Sequence, residues 1–425
     1  MSRLRFSPLK LTAGLLLVAA LGIASVYWLN VRGEQPVSDA LPTGAASAEQ
    51  VNRGAYLAKV GNCAACHTAR GGQAYAGGKA LSTPFGLVYA GNLTRDDETG
   101  LGRWSADHFW RALHHGRARD GRLLYPAFPY TEYTHITRED SDALYAFLRT
   151  VPAVSQANQA HDLRFPYKTQ AALAVWRALY FSPGAHVSEQ EKSAEWNRGA
   201  YLVRGLGHCA ACHAPRNFMG ATQNNLGLDG GLMPMQNWYA PSLASSAEAG
   251  VQGWSTKEVV DLLKTGVSAK GTAIGPMAEV VYASTQHWSE SDLKAMATFL
   301  RELPEHTPAR QPDTRVTSTV RELGAKLYKA QCAECHGDSG EGRAGAYSPL
   351  AQHRTVTQAS SANLIKIIVH GGFAPTTEGN PRPYGMPPFG QSLNDTEIAA
   401  LASYVRSAWG NKASGVTPFD VSRVR

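Results

Sequence analysis

The pattern Cys-x-x-Cys-His occurs three times and uses every cysteine in the chain. The copies are Cys63-Ala-Ala-Cys66-His67, Cys209-Ala-Ala-Cys212-His213 and Cys332-Ala-Glu-Cys335-His336. Because no cysteine lies outside the copies, a disulfide framework is excluded as the basis of the fold. A structural zinc site is also disfavoured, since it needs two nearby pairs or a following histidine pair, and the copies stand more than a hundred residues apart.

The same pattern is the attachment motif of c-type haem. Two thiols at this spacing can form thioether bonds with the haem vinyl groups, and the adjacent histidine then binds the iron on one side. We therefore predict three covalently bound haem c groups. The predicted attachment residues are Cys63, Cys66, Cys209, Cys212, Cys332 and Cys335, and the predicted iron ligands are His67, His213 and His336.

Composition and charge exclude several other classes of protein. Of the 425 residues, 44% are hydrophobic and 18% are charged, which is typical of folded domains and not of a disordered chain. This length suggests about three domains. The net charge is +7, but four basic residues lie within the first 32, which contain no acidic residue. No Lys/Arg-rich run follows them, so nucleic-acid binding is not expected.

The N-terminal region predicts attachment to a membrane. Residues 11–29 are uncharged and follow basic residues at positions 3, 5 and 10. A helix of this length crosses the ~30 Å apolar core of a bilayer, and its basic flank is retained in the cytoplasm. We predict an anchor that holds the remaining chain at the periplasmic side of a bacterial inner membrane. A cleaved signal peptide, cut near the small residues at 20–24, is the alternative.

The segments on either side of each haem motif repeat as well. The leading segments are Arg53-Gly-Ala-Tyr-Leu57, Arg198-Gly-Ala-Tyr-Leu202 and Leu323-Gly-Ala-Lys-Leu327. Each is predicted to lie in an amphipathic helix, and closing helices are predicted at 141–148, 291–300 and 394–405. This order of helix, haem motif, Gly/Pro-rich loop and closing helix resembles the class I cytochrome c domain. We predict an all-α fold with three tandem class I cytochrome c domains after the N-terminal membrane anchor helix.

The predicted boundaries follow these repeats. Residues 1–33 form the anchor, 34–50 and 305–319 are linkers, and 413–425 is a tail. The cytochrome c domains are predicted at 51–155, 194–304 and 320–412. The remaining linker, 156–193, contains the apolar segment 171–181, which is too short to cross a membrane. We expect that segment to be a helix that packs between domains or contacts a partner.

Methionine is a common second ligand of a histidine-bound c-type haem and raises its reduction potential. Met386 lies in a Gly/Pro-rich loop 50 residues after His336, and Met277 lies in a similar loop 64 residues after His213. We predict both as axial ligands of their haem irons, because cytochrome-like domains carry this methionine in such a loop. The other methionines of the region lie too close to the haem motif or inside a closing helix: Met233, Met235 and Met296.

The first repeat has no methionine between His67 and His208. Its loop reads Leu124-Tyr-Pro-Ala-Phe-Pro-Tyr130, and Phe128 occupies the position expected for the ligand. Because a phenyl ring cannot bind iron, the distal ligand of the first haem is unknown: the iron is five-coordinate, or another side chain reaches it. His135 is the candidate within this loop. The other nearby histidines are His108, His114 and His115.

Each iron-binding histidine needs an acceptor that fixes its ring. Pro241 and Pro349 are placed where cytochrome c domains supply a backbone carbonyl for this purpose. The matching segment of the first repeat has Gly91 instead. We predict that carbonyls at these positions orient the histidines, with Gly91 as the matching residue of the first repeat; an ordinary turn is the alternative for each proline.

Further segments carry a more specific resemblance. They are Thr83-Pro-Phe-Gly86, Asn92-Leu-Thr94, Glu98-Thr-Gly-Leu-Gly-Arg-Trp104, Tyr125-Pro-Ala-Phe-Pro-Tyr130 and Trp238-Tyr-Ala-Pro-Ser-Leu243. With them, the chain from Asn52 to Trp409 resembles the triheme cytochrome c subunits of bacterial membrane-bound dehydrogenases. The resemblance implies an electron relay, without catalytic residues of its own, from a dehydrogenase catalytic subunit to ubiquinone in the membrane or to a terminal oxidase.

The resemblance implies one of two kinds of catalytic partner. The form of the loop with Phe128 is more similar to the branch that serves molybdenum hydroxylases, which oxidise aldehydes or N-heterocycles and carry a small iron–sulfur subunit. The other branch serves quinoprotein or flavoprotein dehydrogenases of alcohols and sugars. Two further hypotheses remain: a peroxidase-like enzyme that uses a five-coordinate first haem, and a free, membrane-tethered electron carrier.

Overall fold

The computed structural model describes residues 8–222, 227–307 and 314–425. Arg3 and Arg5 of the predicted anchor flank, and residues 308–313 of the predicted linker, lie outside these ranges. The chain forms two compact units. Unit 1 consists of Met1–Gly54 and His67–His186, and unit 2 consists of Ala55–Cys66 and Val187–Arg425.

The N-terminal part of the chain, most of which belongs to unit 1, contains seven of the described helices. They are α1 (Pro8–Val31), α2 (Ala48–Val60), α3 (Cys63–His67), α4 (Ala106–His115), α5 (Tyr130–Tyr133), α6 (Arg138–Leu148) and α7 (Gln170–Tyr180). Strands β1 (Ala80–Thr83), β2 (Gly86–Tyr89) and β3 (Asp162–Leu163) form an antiparallel sheet in that order. Ala80 is paired with Tyr89, and Gly86 with Leu163.

The remaining elements belong to unit 2. Its helices are α8 (Ala194–Arg204), α9 (Ala210–His213), α10 (Thr256–Thr265), α11 (Pro276–Ala283), α12 (Glu290–Arg301), α13 (Ser318–Gln331), α14 (Ala333–His336), α15 (Arg354–Thr357), α16 (Ala362–His370), α17 (Asp395–Ser407) and α18 (Pro418–Val424), with a 3₁₀ turn at Thr285–His287. Short antiparallel pairs join β4 (Gly231–Leu232) to β5 (Tyr239–Ala240), β6 (Val267–Ser268) to β7 (Gly271–Thr272), and β8 (Gly372–Phe373) to β9 (Gly385–Met386).

The short strands refine the prediction of an all-α fold to one that is mostly helical. All of them lie in the loops that connect successive helices. Backbone groups in such segments still need hydrogen-bond partners, and neighbouring loop segments supply them by pairing. Composition and helix periodicity do not reveal strands of two to four residues.

Capping side chains set where the loop-flanking helices begin. Ser105, Ser255 and Asn394 accept a backbone N–H in the first turn of α4, α10 and α17, and in each case the third helical residue bonds back to the cap. Gly116 and Gly266 end α4 and α10 with φ angles of 57° and 81°. These left-handed conformations favour glycine.

The repeated Gly-Ala dipeptide has a packing role in each repeat. A side chain at Gly54, Gly199 or Gly324 would collide with a carbonyl of the closing helix, at Ala143, Ala295 or Ala400 respectively. Each leading helix therefore approaches its closing helix more closely than any larger residue allows. The arginine before the glycine binds an aspartate of the closing helix in two repeats, Arg53 with Asp140 and Arg198 with Asp292.

The boundary between the two units runs through the first repeat. The C-terminal half of α2, with Cys63 and Cys66, belongs to unit 2. Within that unit the hydroxyl of Tyr56 donates to Asp292 at 2.6 Å, and the hydroxyl of Ser284 donates to the carbonyl of Val60 at 3.0 Å. The predicted count of three domains is not tested by this division and remains a prediction.

Residues Leu9–Val31 of α1 are long and apolar enough to cross a membrane, and the apolar stretch of this helix is not buried within the structure. Unlike a core helix, it leaves most of its leucine side chains exposed. This arrangement is consistent with the predicted anchor. An N-terminal signal sequence would have the same composition.

Candidate haem sites

Each Cys-x-x-Cys-His motif forms about one helical turn, α3, α9 or α14, that follows a longer leading helix. The histidine at the end of the turn places its Nδ1 against a backbone carbonyl. His67 lies 2.7 Å from the Gly91 oxygen, His213 lies 2.7 Å from the Pro241 oxygen, and His336 lies 2.9 Å from the Ser348 oxygen. A carbonyl can only accept, so Nδ1 carries the proton and Nε2 keeps its lone pair for a metal.

Burial supports the neutral form of these histidines. It lowers the pKa of His67, His213 and His336, and the hydrogen bond to the carbonyl opposes that effect only in part. A neutral imidazole with a fixed Nδ1–H is the form that binds a haem iron through Nε2. The carbonyls predicted at Gly91 and Pro241 are the ones found.

In the third repeat the acceptor is Ser348 and not the predicted Pro349. The acceptor follows the histidine by 12 residues in this repeat, and by 24 and 28 residues in the first and second repeats. Residues Arg343 and Tyr347 form an antiparallel bridge inside this shorter loop. The different loop path brings the carbonyl that precedes the proline to His336.

The six cysteines form no disulfide. Burial raises the pKa of Cys63 to about 12 and that of Cys332 to about 11, in each case with a smaller contribution from the second cysteine of the motif. A zinc site needs thiolates and converging ligands. No group of three or more His, Cys, Asp or Glu side chains suited to a metal occurs among the described residues. Two thiols beside a neutral, oriented histidine fit covalent haem instead.

Met386 lies on the same apolar cluster as a haem-motif cysteine. That cluster forms the core of the third repeat and includes Tyr328, Cys332 and Ile365, with Met386 and Phe389 packed against it. Met386 also pairs with Gly372 in the β8–β9 ladder, which fixes its backbone. Met386 and Cys332 thus belong to one apolar region, and the role of Met386 as an axial ligand stays a prediction.

Met277 lies in the first turn of α11 and is partly buried. The preceding turn contains Gly275, where a side chain would collide with the ring of Trp238. Met296 is a core residue of α12, as predicted, and Met235 is exposed. Of these three methionines, only Met277 lies at the end of a loop and is partly accessible. Its role as an iron ligand stays a prediction.

Phe128 packs among tyrosines in the first repeat. Its ring lies 5.5 Å from that of Tyr133 and 6.5 Å from that of Tyr130. The backbone carbonyl of His135 accepts a hydrogen bond from the N–H of His186. The structure gives no further support to His135 as a ligand, and the distal side of the first haem is not assigned.

The other histidines of the first repeat have distinct surroundings. His108 completes the N-terminal cap of α4 with Ser105. His114 stacks on Trp110 with ring centres 4.4 Å apart, and its Nδ1 is buried with no hydrogen-bond partner among the described residues. Burial lowers the pKa of His114 and of His115 to about 4, so both rings are neutral near pH 7.

Two residues that hold the Pro241 segment were not anticipated from the sequence. The side chain of Asn363 accepts from the N–H of Tyr239 at 2.9 Å and donates to its carbonyl at 2.7 Å. Glu248 is buried and accepts from the N–H of Ser242 at 2.7 Å and from the Tyr239 hydroxyl. Asn363 lies 124 residues from Tyr239, and no local pattern marks such a contact.

Known proteins match the chain over most of its length. The family model Cytochrome c matches residues 51–152 and 322–409. The alcohol dehydrogenase (quinone), cytochrome c subunit, of Gluconobacter oxydans is 36% identical, with 98% of this chain and 88% of the relative covered. The fructose dehydrogenase cytochrome subunit of Gluconobacter japonicus is also 36% identical, with coverages of 99% and 90%.

A third relative is longer than this chain. It is a nicotinate dehydrogenase subunit of Pseudomonas putida, which is 41% identical over 373 residues, or 85% of this chain but 30% of the relative. The chain therefore spans less than a third of that protein.

Proposed function

Because the chain belongs to the family of cytochrome c subunits of dehydrogenase complexes, we propose that it binds three haems and relays electrons through them. It is an electron-transfer subunit and not a catalytic subunit. The observation that carries the proposal is the geometry common to all three motifs. Each has two thiols outside any disulfide and a histidine whose Nδ1 is held by a carbonyl.

The chain's own residues would bind and orient the haems. The cysteine pairs would hold each haem covalently, while the carbonyls of Gly91, Pro241 and Ser348 keep the histidine rings oriented. Each haem, when bound, supplies one-electron transfer at its iron. In the third repeat, the apolar cluster beside Met386 would limit the access of water, and a thioether ligand would raise the haem potential.

The haem count can be measured directly on the purified protein. We expect three haems per polypeptide by haemochrome absorbance and intact mass, and two after Cys209→Ala/Cys212→Ala. The matched control Ala210→Ser/Ala211→Ser changes the residues between these cysteines and should keep three. The second repeat is the one to test, because it lies outside the segments matched by the family model. If the wild-type protein carried only two haems and the cysteine variant carried the same two, the proposal for the second repeat would be contradicted.

The proposed donor is a dehydrogenase catalytic subunit, and the proposed acceptor is ubiquinone or a terminal oxidase at the periplasmic face of the membrane. We favour a molybdenum-hydroxylase type of donor with a small iron–sulfur subunit. The Phe128 loop and the 41% identity with the nicotinate dehydrogenase subunit support this preference. Quinoprotein or flavoprotein donors are the alternative, supported by the alcohol and fructose dehydrogenase relatives.

Purification of the native complex tests the donor. Molybdenum and acid-labile sulfide in stoichiometric amounts support the first type, whereas a bound quinone cofactor or flavin supports the second. Substrate-dependent reduction of the haems, followed by reoxidation with a ubiquinone analogue, tests the direction of the relay. Isolation of the chain without any large subunit would instead support a free, membrane-tethered carrier.

Phe128 also motivates a second candidate function. A five-coordinate first haem could react with peroxide, as in a peroxidase-like enzyme. Carbon monoxide should then change the absorbance of one haem out of three, and peroxide should oxidise the reduced protein at a catalytic rate. An unchanged spectrum with carbon monoxide would rule this function out.

A further inference from the structure

The last turn of α1 is fixed to α7 by buried polar side chains. Asn30 is 8% exposed, and its amide donates to the carbonyl of Ala174 at 2.9 Å. The guanidinium of Arg177, only 2% exposed, donates to the Asn30 side chain at 2.8 Å and to the carbonyl of His115 at 2.8 Å. Groups buried in this way are costly to separate.

A second set of bonds surrounds the same joint. Arg117 pairs with Glu34 at 2.7 Å, with both side chains largely buried, and donates to the carbonyl of Asn30. Arg32 donates to the hydroxyl of Ser182 at 2.8 Å, just beyond α7. Helix α1 therefore continues into a fixed joint with unit 1 and is not a loose tether.

Helix α7 exposes an apolar face beside this joint. Val175 and Leu179 are one turn apart and 48% and 67% exposed, whereas Leu173, Trp176 and Arg177 of the same helix are buried. Phe165, just before α7, is 77% exposed. A surface helix in water normally presents polar residues on such a face. We call Val175 and Leu179 the α7 apolar face.

The surrounding charges favour a lipid surface. Residues 164–180 contain no aspartate or glutamate, whereas Arg164 and Lys168 are exposed next to Phe165. An apolar face bordered by basic residues is typical of helices that lie in the interface of a membrane containing anionic lipids. Asn30 in the last turn of α1 donates to the carbonyl of Ala174 in the middle of α7, so α7 lies at the end of the membrane-length helix.

We propose that the α7 apolar face is inserted into the interfacial region of the same bilayer that α1 crosses. This inference rests on the membrane attachment that forms part of the proposed function. Lipid is the occupant because α7, whose exposed face is apolar, is joined to the last turn of a membrane-length helix through Asn30, Ala174 and Arg177. The insertion would hold the first repeat at a fixed height on the membrane, where its haem exchanges electrons close to the quinone pool.

The test uses the full, haem-loaded chain in nanodiscs of phosphatidylcholine and phosphatidylglycerol. The probe is a phosphatidylcholine with a photoreactive diazirine near the carboxyl end of its acyl chain, and cross-linked peptides are identified by mass spectrometry. We expect cross-links in α1 and in the segment 165–180. Val175→Glu/Leu179→Glu should lose those in 165–180 while keeping those in α1 and an unchanged haem spectrum.

An exposed aromatic residue elsewhere provides the control. Phe218 is 88% exposed, and its peptide should carry no cross-link, nor should Phe218→Glu alter the pattern. Cross-links in α1 without any in 165–180 would overturn the inference and leave the anchor intact. If cross-links were absent from both α1 and 165–180, the membrane attachment would be overturned as well. Loss of the α7 cross-links when the dehydrogenase complex is assembled would show that a protein partner, not lipid, covers the face.

Discussion

A single side chain distinguishes the first predicted haem site from the other two. Phe128 stands at the position predicted for the distal ligand, for which Met277 and Met386 are predicted in the second and third repeats, and it packs against Tyr133. Methionine is somewhat smaller than phenylalanine, but its unbranched side chain is flexible and fills irregular space in a core. The position can therefore be tested with little disturbance of packing.

Phe128→Met should convert the first haem into one with a thioether ligand and raise its potential. Redox titration with optical detection should then show one haem shifted to higher potential, and carbon monoxide should no longer bind it. The control Phe218→Met makes the same substitution at an exposed site and should change neither property. An unchanged potential in Phe128→Met would mean that this residue does not occupy the ligand position.

His114 should make the haem-loaded protein sensitive to acid. Burial lowers the pKa of His114 in the folded protein from 6.5 to about 4. Between pH 4 and pH 6.5, therefore, His114 binds a proton in the unfolded chain but not in the folded chain. The neutral His114 thus contributes about 1–3 kcal/mol to the unfolding free energy above pH 6.5, and this contribution is lost as the pH falls toward 4. His114→Phe, which keeps the stacking on Trp110, should reduce the difference in unfolding free energy between pH 7 and pH 5.

An exposed residue that does not titrate provides the comparison. Phe218→Leu, at a position that is 88% exposed, should leave the pH dependence of the wild type unchanged in the same denaturant titration. If His114→Phe also retained the full difference, the acid sensitivity would have to arise from other groups, such as His115.

At the level of elements, the repeated helix pair depends on a close approach. Gly199 of α8 faces the carbonyl of Ala295 in α12, and Arg198 binds Asp292 beside it with two bonds of 2.8 Å. An added methyl group has no space there and must push the helices apart. Overpacking of this kind costs about 1–3 kcal/mol.

Gly199→Ala should therefore lower the unfolding free energy of the haem-loaded protein by about that amount. Gly253→Ala is the matched control, since nothing lies within 4 Å of the added methyl group there. If the two variants were equally stable in thermal or denaturant unfolding, the close contact between α8 and α12 would not contribute to the stability of this repeat.

The helices that carry this contact could be predicted from the sequence. The closing helices expected at 141–148, 291–300 and 394–405 are present as α6, α12 and α17 with slightly different ends. Local capping residues and apolar spacing suffice for that. They do not predict Ser348 as an acceptor or Asn363 as a partner of Tyr239, because these depend on loop path and on contacts between distant segments.

At the scale of the whole molecule, the second and third repeats belong to one compact unit. Arg354 of the third repeat donates to the carbonyls of Gly250 at 2.6 Å and Ser246 at 3.2 Å, and stacks over Trp254. Thr377 donates to the carbonyl of Thr265 at 3.0 Å. Contacts of this extent predict that the two repeats unfold together.

Arg354→Ala should weaken that coupling, because it removes two hydrogen bonds and a ring contact between the repeats. We expect calorimetry to resolve two transitions in unit 2 where the wild type shows one. Arg343→Ala removes an arginine that stacks over Tyr347 within its own repeat, and it should leave a single transition. Separate transitions already present in the wild type would contradict the prediction.

The joint between Asn30 and Arg177 has a practical consequence for shortening the protein. Cutting the chain after residue 33 would remove the whole hydrophobic helix but would leave the Arg177 guanidinium buried without its amide partner. A cut before Ser25 would remove most of the apolar stretch and retain Asn30 and Arg32. A water-soluble form that keeps its native fold should therefore begin inside the hydrophobic helix and not at its end.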